Sequence, residues 1–158
     1  MGCKPSICAR PLPALSRQLR FSGDVKTVFC FTLRYLRLAA IFDLADKLNV
    51  AIVSVGGTAA LTKSYRTGYG SEADRRSLIG VGAVGDVFYN FIDAAGNTVD
   101  HEVNCRLISV NLSGLRRTPE RILISGGKDK RVAMRAAIKT LDPTTLITDE
   151  QSARSLPI

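Results

Sequence analysis

The residues of this chain best placed to do chemistry lie in Ser125-Gly-Gly-Lys-Asp-Lys130. An apolar run, Ile122 to Ile124, precedes them and suits a buried strand. Val132, Ala133, Ala136 and Ala137 follow at helical spacing. A strand, a Gly-Gly turn and a helix aim free backbone N–H groups at an anion. Glycine lets a phosphate approach closely, and the helix N-terminus carries partial positive charge. Lys130 falls in the first turn of this helix, where the dipole disfavours a cation unless an anion binds beside it. A tight βα turn with a solvated lysine is the plain alternative.

Other candidates are weaker. Gly80-Val-Gly-Ala-Val-Gly85 spells a dinucleotide fingerprint, which needs a strand before it and a long helix after it. Val87 to Ile92 favours a strand instead, so a glycine-rich approach to a sheet is expected, with Asp86 at the strand mouth. Asp86 is either a turn residue or a carboxylate that binds hydroxyls. His101-Glu-Val-Asn-Cys105 lacks the second histidine of a zinc-peptidase helix, and no nucleophile can be paired with this single histidine. Asn104 and Arg106, two apart near a predicted strand, would face one side of it as ligand groups or as a solvated face. Cys3, Cys8, Cys30 and Cys105 fit no zinc spacing and are expected as free thiols in a reducing cytoplasm. Met1-Gly-Cys-Lys-Pro-Ser6 matches the loose N-myristoylation pattern, a match that short sequences meet by chance.

The elements that must position these groups alternate between helix and strand. Ala39 to Leu48 is amphipathic, with Ile41, Leu44, Ala45 and Leu48 on one face and Asn49 ending it. Val50 to Val55 reads as a strand buried on both faces, closed by Gly56-Gly57-Thr58. A short helix is expected from about Glu72 to Ile79, then a strand over Val84–Asp93 and a turn at Ala94-Ala-Gly-Asn97. A strand over Leu107–Leu112 would pair with it as a hairpin. Ser113 to Thr118 is a short helix or turn stopped by Pro119. Asp142-Pro143 ends the helix behind the Gly-Gly turn. Leu146-Ile147 forms a short strand, and Thr148-Asp149-Glu150 caps a last helix to about Leu156. The alternation predicts an α/β fold with a largely parallel sheet.

At 158 residues the chain holds one domain with a real core. Its apolar runs fall short of a membrane span, and the best, Val25 to Phe42, is cut by Lys26, Arg34 and Arg37. No signal-peptide pattern opens it. The net charge of +8 invites a nucleic-acid reading, but residues 1–40 carry seven bases against one acid, so +6 of it lies there. Residues 1–38 therefore read as a basic leader, solvated or disordered, and residues 39–158 as the folded body.

Taken in order, Gly82-Ala-Val-Gly-Asp86, Phe91-Ile-Asp-Ala-Ala-Gly96, Asn104-Cys-Arg106, Leu115-Arg-Arg117, Ser125-Gly-Gly-Lys-Asp-Lys130 and Leu146-Ile-Thr-Asp-Glu150 with Ala153 resemble a known family. They resemble the C-terminal effector, or sugar-binding, domain of SorC-type bacterial transcriptional regulators. The resemblance runs from about residue 39 to the end.

It implies a Rossmann-like, three-layer domain related to the NagB/RpiA/CoA-transferase fold. It implies a cytoplasmic, non-enzymatic domain that binds a phosphorylated sugar or similar metabolite and sets the oligomeric state of a DNA-bound regulator. Carried over by motif, Gly126, Gly127 and Lys130 hold the phosphate, and Asp86 accepts hydrogen bonds from sugar hydroxyls. Gly56, Gly57 and Thr58 line the same mouth, and Arg106 contributes further. No metal and no cofactor are implied. Family members are about twice this length and begin with a helix-turn-helix and a further βα unit. The chain is thus expected to be an incomplete member that meets DNA only through a homo-oligomer or an intact protomer. A sugar-phosphate isomerase or deaminase with Asp86 as general base is the enzymatic alternative, and an interaction module with a vestigial pocket is the third.

Overall fold

The computed structural model describes residues 38–58, 71–106 and 109–156. The expectations for the basic leader and for Cys3, Cys8 and Cys30 lie outside the described residues; so does the segment Val28 to Tyr35, which reads from sequence as a strand or a helix.

Helix α1 (Leu38–Ala45) leads into strand β1 (Val50–Val53). The expected single strand breaks at Ser54, because β2 (Val55–Gly57) joins a different sheet. Gly56 and Gly57 are therefore strand residues and not a closing turn. Helix α2 (Glu72–Gly80) begins at Ser71, whose hydroxyl accepts the Asp74 N–H while the Asp74 carboxylate accepts the Ser71 N–H. That reciprocal cap satisfies two N–H groups that would otherwise lack partners. Strands β3 (Ala83–Val87) and β4 (Asn90–Asp93) pair antiparallel with each other, and β2 pairs with β3. Helices α3 (Glu102–Arg106) and α4 (Leu112–Leu115) precede β5 (Glu120–Ile124). A 3₁₀ turn, Lys128–Lys130, opens α5 (Arg131–Leu141), and β6 (Thr145–Ile147) and α6 (Glu150–Ser155) complete the order.

Two small sheets result among the described residues. One is parallel, in the order β1-β5-β6, and one antiparallel, in the order β2-β3-β4. Helix α5 ties them together. Its Ala133, Met134, Ala136, Ala137 and Leu141 share one core with Ala51, Val53 and Leu123 of the parallel sheet and Val55, Val87 and Ile92 of the antiparallel one. A second cluster, Leu78, Ala83, Phe91, Val99 and Val103, packs α2 and α3 against the antiparallel sheet. Arg121 anchors the far end of α5. Its guanidinium donates to the carbonyls of Leu141, Asp142 and Thr118, beside the left-handed Asp142 that ends the helix.

Three expectations are corrected here. Val84 to Asp93 is not one strand but a hairpin that turns at Phe88 and Tyr89, with φ of 49° and 62°. Neither residue is one that tolerates positive φ cheaply. Side chains hold the turn instead. Asp86 Oδ2 accepts the Tyr89 N–H, Ser109 Oγ donates to the Phe88 carbonyl, and Asn90 Nδ2 donates to the carbonyls of Val87 and Val110. Second, the strand expected over Leu107–Leu112 does not form over its described part: Ser109 to Asn111 are irregular and Leu112 begins α4. The turn at Asp93–Asn97 is present, with Asp93 Oδ1 accepting the N–H groups of Ala95 and Asn97, but it returns only to an isolated bridge between Ile92 and Thr98. Third, β1 is buried on one face only. Ala51 and Val53 face the core, whereas Val50, Ile52, Ile124 and Ile147 are exposed, as are Ile41, Leu44 and Leu48 of the α1 region. Among the described residues no helix covers that second face, on which a parallel sheet ordinarily carries one.

Candidate functional site

The site is built where β2, β3 and the start of α5 meet. Gly56 and Asp86 are register partners. A Cβ on Gly56 would stand 2.1 Å from Asp86 Oδ1, so only glycine leaves that carboxylate room. A Cβ on Gly57 would reach the Asp129 carbonyl at 3.0 Å and Lys130 Cγ at 3.7 Å. The glycines of β2 thus touch both candidate ligand groups. Burial pushes the Asp86 carboxyl above its ordinary range, while the Tyr89 N–H and the Lys130 charge pull it back down. A partly buried carboxylate and an ammonium close enough to feel each other can receive a ligand with hydroxyls at one end and an anion at the other.

The Gly126-Gly127 loop connects β5 to this place. Gly127 has φ 103° and accepts the Lys130 N–H on its carbonyl. Its own N–H is already used: it donates to Asp149 Oδ2 at 2.8 Å. The same carboxylate would meet a Cβ on Gly126 at 2.6 Å. At Gly126 the small residue is therefore required by Asp149, not by an approaching phosphate alone. The Ser152 hydroxyl first, then the N–H groups of Gly127 and Ser152, with some help from Arg131, hold the Asp149 carboxyl down at about 2. A carboxyl depressed in the fold stabilises above its unfolded range and stops doing so as pH falls through about 2. Asp149→Ala should accordingly flatten the low-pH limb of a melting-temperature profile taken between about pH 4 and pH 2. An unchanged limb would show that this latch does not hold. The latch was legible only in part, since Thr148-Asp149-Glu150 signals a helix cap but not its second partner.

The remaining candidates separate. Thr58 is buried and donates its hydroxyl to the Ala83 carbonyl, which makes it a strut between β2 and β3. Asn104 and Arg106 lie on a helix and not on a strand, so residues two apart do not share a face. Asn104 accepts the Phe91 N–H and donates to the carbonyls of Phe91 and Val99, closing the edge of β4. Asn104→Ala leaves the Phe91 N–H and the Val99 carbonyl without this partner, while the Phe91 carbonyl keeps the Val99 N–H, and should cost about 2 kcal/mol, readable as a melting temperature lower by roughly 4–8 °C. An unchanged melt would return Asn104 to the list of ligand groups. The side chain of Arg106 lies outside the described residues, and its helix belongs to the second cluster, which contains no residue of α5.

His101 is spoken for: Nδ1 accepts the Val103 N–H and Nε2 meets Ser77 Oγ at 2.9 Å. The glycine fingerprint is inverted relative to a dinucleotide site, with α2 ending at Gly80 and β3 following. Among the described residues no cluster of His, Cys, Asp and Glu could hold a metal, and no helix is long and apolar enough to cross a membrane.

Comparison with known proteins identifies the family and the fold. Residues 34–156 match the family described as "Putative sugar-binding domain". The deoxyribonucleoside regulator of Bacillus subtilis is 32% identical over 142 residues, covering 78% of this chain and 45% of that protein. The transcriptional regulator LsrR of an Enterobacter species is 33% identical over 156 residues, covering 98% of this chain and 46% of that protein. The chain thus spans about half the length of the curated relatives it matches. Among solved structures, a DeoR-family transcriptional regulator from Listeria monocytogenes superposes with a TM-score of 0.77 at 21% identity over 83% of this chain and 53% of that one. The full-length sorbitol operon regulator SorC of Klebsiella pneumoniae gives 0.74 at 24% identity over 82% of this chain and 42% of that one. These likenesses place the fold among the Rossmann-like domains of such regulators.

Proposed function

Because the chain belongs to the family of sugar-binding domains carried by SorC-, DeoR- and LsrR-type transcriptional regulators, we propose that residues 39–158 are an effector module for a phosphorylated sugar. The observation that carries this reading is that β2 sets Gly56 against the Asp86 carboxylate and the next residue, Gly57, against Lys130. Asp86 accepts the sugar hydroxyls. Lys130, at the start of a helix whose N-terminus has no side-chain cap, supplies charge to the phosphate, with Gly126 and Gly127 shaping the loop beneath it. The module is non-enzymatic and cytoplasmic, and it reaches DNA only through assembly with protomers that carry a DNA-reading helix. The uncovered apolar face of the parallel sheet supports such assembly, since exposed faces of this kind mark contact surfaces. The relatives named for deoxyribonucleosides and for sorbitol support a polyhydroxylated ligand.

A thermal-shift screen of the purified chain against phosphosugars and their unphosphorylated counterparts tests this. A ligand at 100 times its Kd should stabilise the fold by about 2.7 kcal/mol. Stabilisation by phosphosugars, lost in Lys130→Ala, is the expected result. A cooperative melt that no sugar moves would overturn the reading.

A further inference from the structure

The main-chain donor expected to hold the phosphate, Gly127 N–H, is taken by Asp149. Three polar side-chain atoms of the neighbouring segments are buried and have no hydrogen-bond partner among the described residues: Ser125 Oγ, Thr148 Oγ1 and Arg131 Nε. Ser125 as a residue is only 8% exposed. The sequence placed Ser125 beside the Gly-Gly turn and Thr148 beside the Asp149 cap, but gave neither hydroxyl, nor Arg131, a role of its own.

They are neighbours in the fold. Ser125 follows β5, Thr148 follows β6, and the Ser125 N–H donates to the Ile147 carbonyl, so the two hydroxyl residues end adjacent parallel strands side by side. Arg131 opens α5. Its charge acts on Asp149, and its terminal nitrogen donates to Gln151 Oε1. All three orphan atoms can donate a hydrogen bond, and a buried polar group without a partner is costly enough that such groups are rare. Ligands of α/β folds bind outside the carboxyl ends of parallel strands, where these residues lie.

We propose that Ser125, Thr148 and Arg131 are phosphate-recognition residues of the effector site, and that Asp149 is a positioning residue that braces the Gly126-Gly127 loop. The proposal rests on the phosphosugar reading and deepens it. The dianionic phosphate monoester takes its hydrogen bonds from two hydroxyls and a guanidinium, and Lys130 adds charge. Asp149 stays on Gly127, which keeps the loop in its left-handed turn while the side-chain donors face the ligand's anionic end. Specificity for a phosphate over a carboxylate follows from having three donors beside the loop, one for each free oxygen of the monoester.

The test uses the full chain with inorganic phosphate as probe, followed by calorimetry and thermal melts, on the wild type, Ser125→Ala and Arg131→Gln. Ser125→Ala removes a hydroxyl that pairs with nothing described, so it should melt at or above the wild-type temperature while binding phosphate about tenfold more weakly. Arg131→Gln should weaken phosphate binding by at least as much. Phosphate binding unchanged in both variants would overturn the proposal. So would a melting temperature several degrees lower in Ser125→Ala, because the hydroxyl would then have a partner within the protein. If phosphate leaves the wild type unmoved while a sugar from the screen stabilises it, this inference fails and the carbohydrate reading stands. If neither does, both fail.

Discussion

Asp86→Asn should yield a chain that melts at a higher temperature at neutral pH and has lost its carbohydrate. The two effects share one cause. Burial pushes the Asp86 carboxyl up, against the Tyr89 N–H and the Lys130 charge, so the folded state resists its ionisation. The sign follows from linkage. An acid whose pKa is raised in the fold costs nothing when protonated in both states, at low pH. Its cost develops as pH rises from the unfolded carboxylate range through the raised value. Asparagine carries no charge and can still accept the Tyr89 N–H, so it removes the cost and keeps the hairpin bond. The apo protein should therefore gain stability in the upper part of the pH range and little below about pH 4.

Binding should move the other way. Hydrogen bonds from hydroxyls to a carboxylate are worth about 1.5–3 kcal/mol each, so losing the charge under two of them should weaken the sugar roughly 100-fold or more. Calorimetry and a melting profile over pH read both effects from one variant. An Asp86→Asn chain that melts lower at neutral pH would make the carboxylate structural. One that binds as before would remove it from the site. Gly56→Ala should reproduce the binding defect, because its Cβ would displace Asp86 Oδ1.

Gly85→Ala should be the most destabilising single methyl that can be added near the site. Its Cβ would come within 2.4 Å of Ala133 Cβ and 2.4 Å of the Gly56 carbonyl oxygen. Neither neighbour can give way cheaply. Gly56 is held in the antiparallel sheet beside Gly85, and Ala133 is buried at the start of α5. Strain of this kind ordinarily costs 1–3 kcal/mol, and with backbone on one side the upper end, about 3 kcal/mol, is expected. In a chain of this size that is a melting temperature lower by roughly 10 °C. Because α5 carries Lys130 at its head, ligand affinity should fall as well. A variant within a degree or two of the wild type would mean that α5 does not rest on β3 as described.

The segment from β5 to α6 was legible because every level agreed within it. The apolar run, the Gly-Gly turn, the three- and four-residue spacing of alanines and the Asp149 cap each point to the same βαβ order, and local contacts suffice to build it. The antiparallel sheet was not. Its turn uses Phe88 and Tyr89, residues with no turn signature, and depends on Asn90 and Ser109 donating to the Phe88 carbonyl, contacts that no local pattern announces. The split between β1 and β2 at Ser54 is likewise hidden, since Val50 to Val55 reads as one apolar run and only tertiary pairing divides it. Asn104 and Arg106 were placed on the wrong element because a five-residue helix leaves almost no periodic trace.

For the site the same division holds. Asp86, Gly56, Gly57 and Lys130 could be picked by residue type and motif, and the structure gathers them. That Gly126 makes room for Asp149, and that Ser125 and Thr148 come to lie beside each other, depends on two parallel strands ending side by side. Residues more than twenty positions apart come together only in the fold.

The central claim, that one pocket reads a phosphate and a sugar through opposite charges, is tested most directly by calorimetric titration. The chain would be titrated with the phosphosugar found in the screen and with the same sugar lacking its phosphate, in the wild type, Lys130→Ala and Asp86→Asn. The prediction is strong binding of the phosphosugar alone, weakened by both substitutions, with Lys130→Ala bringing the two ligands toward equal affinity. Equal affinity for both sugars in the wild type, or binding indifferent to both substitutions, would contradict it.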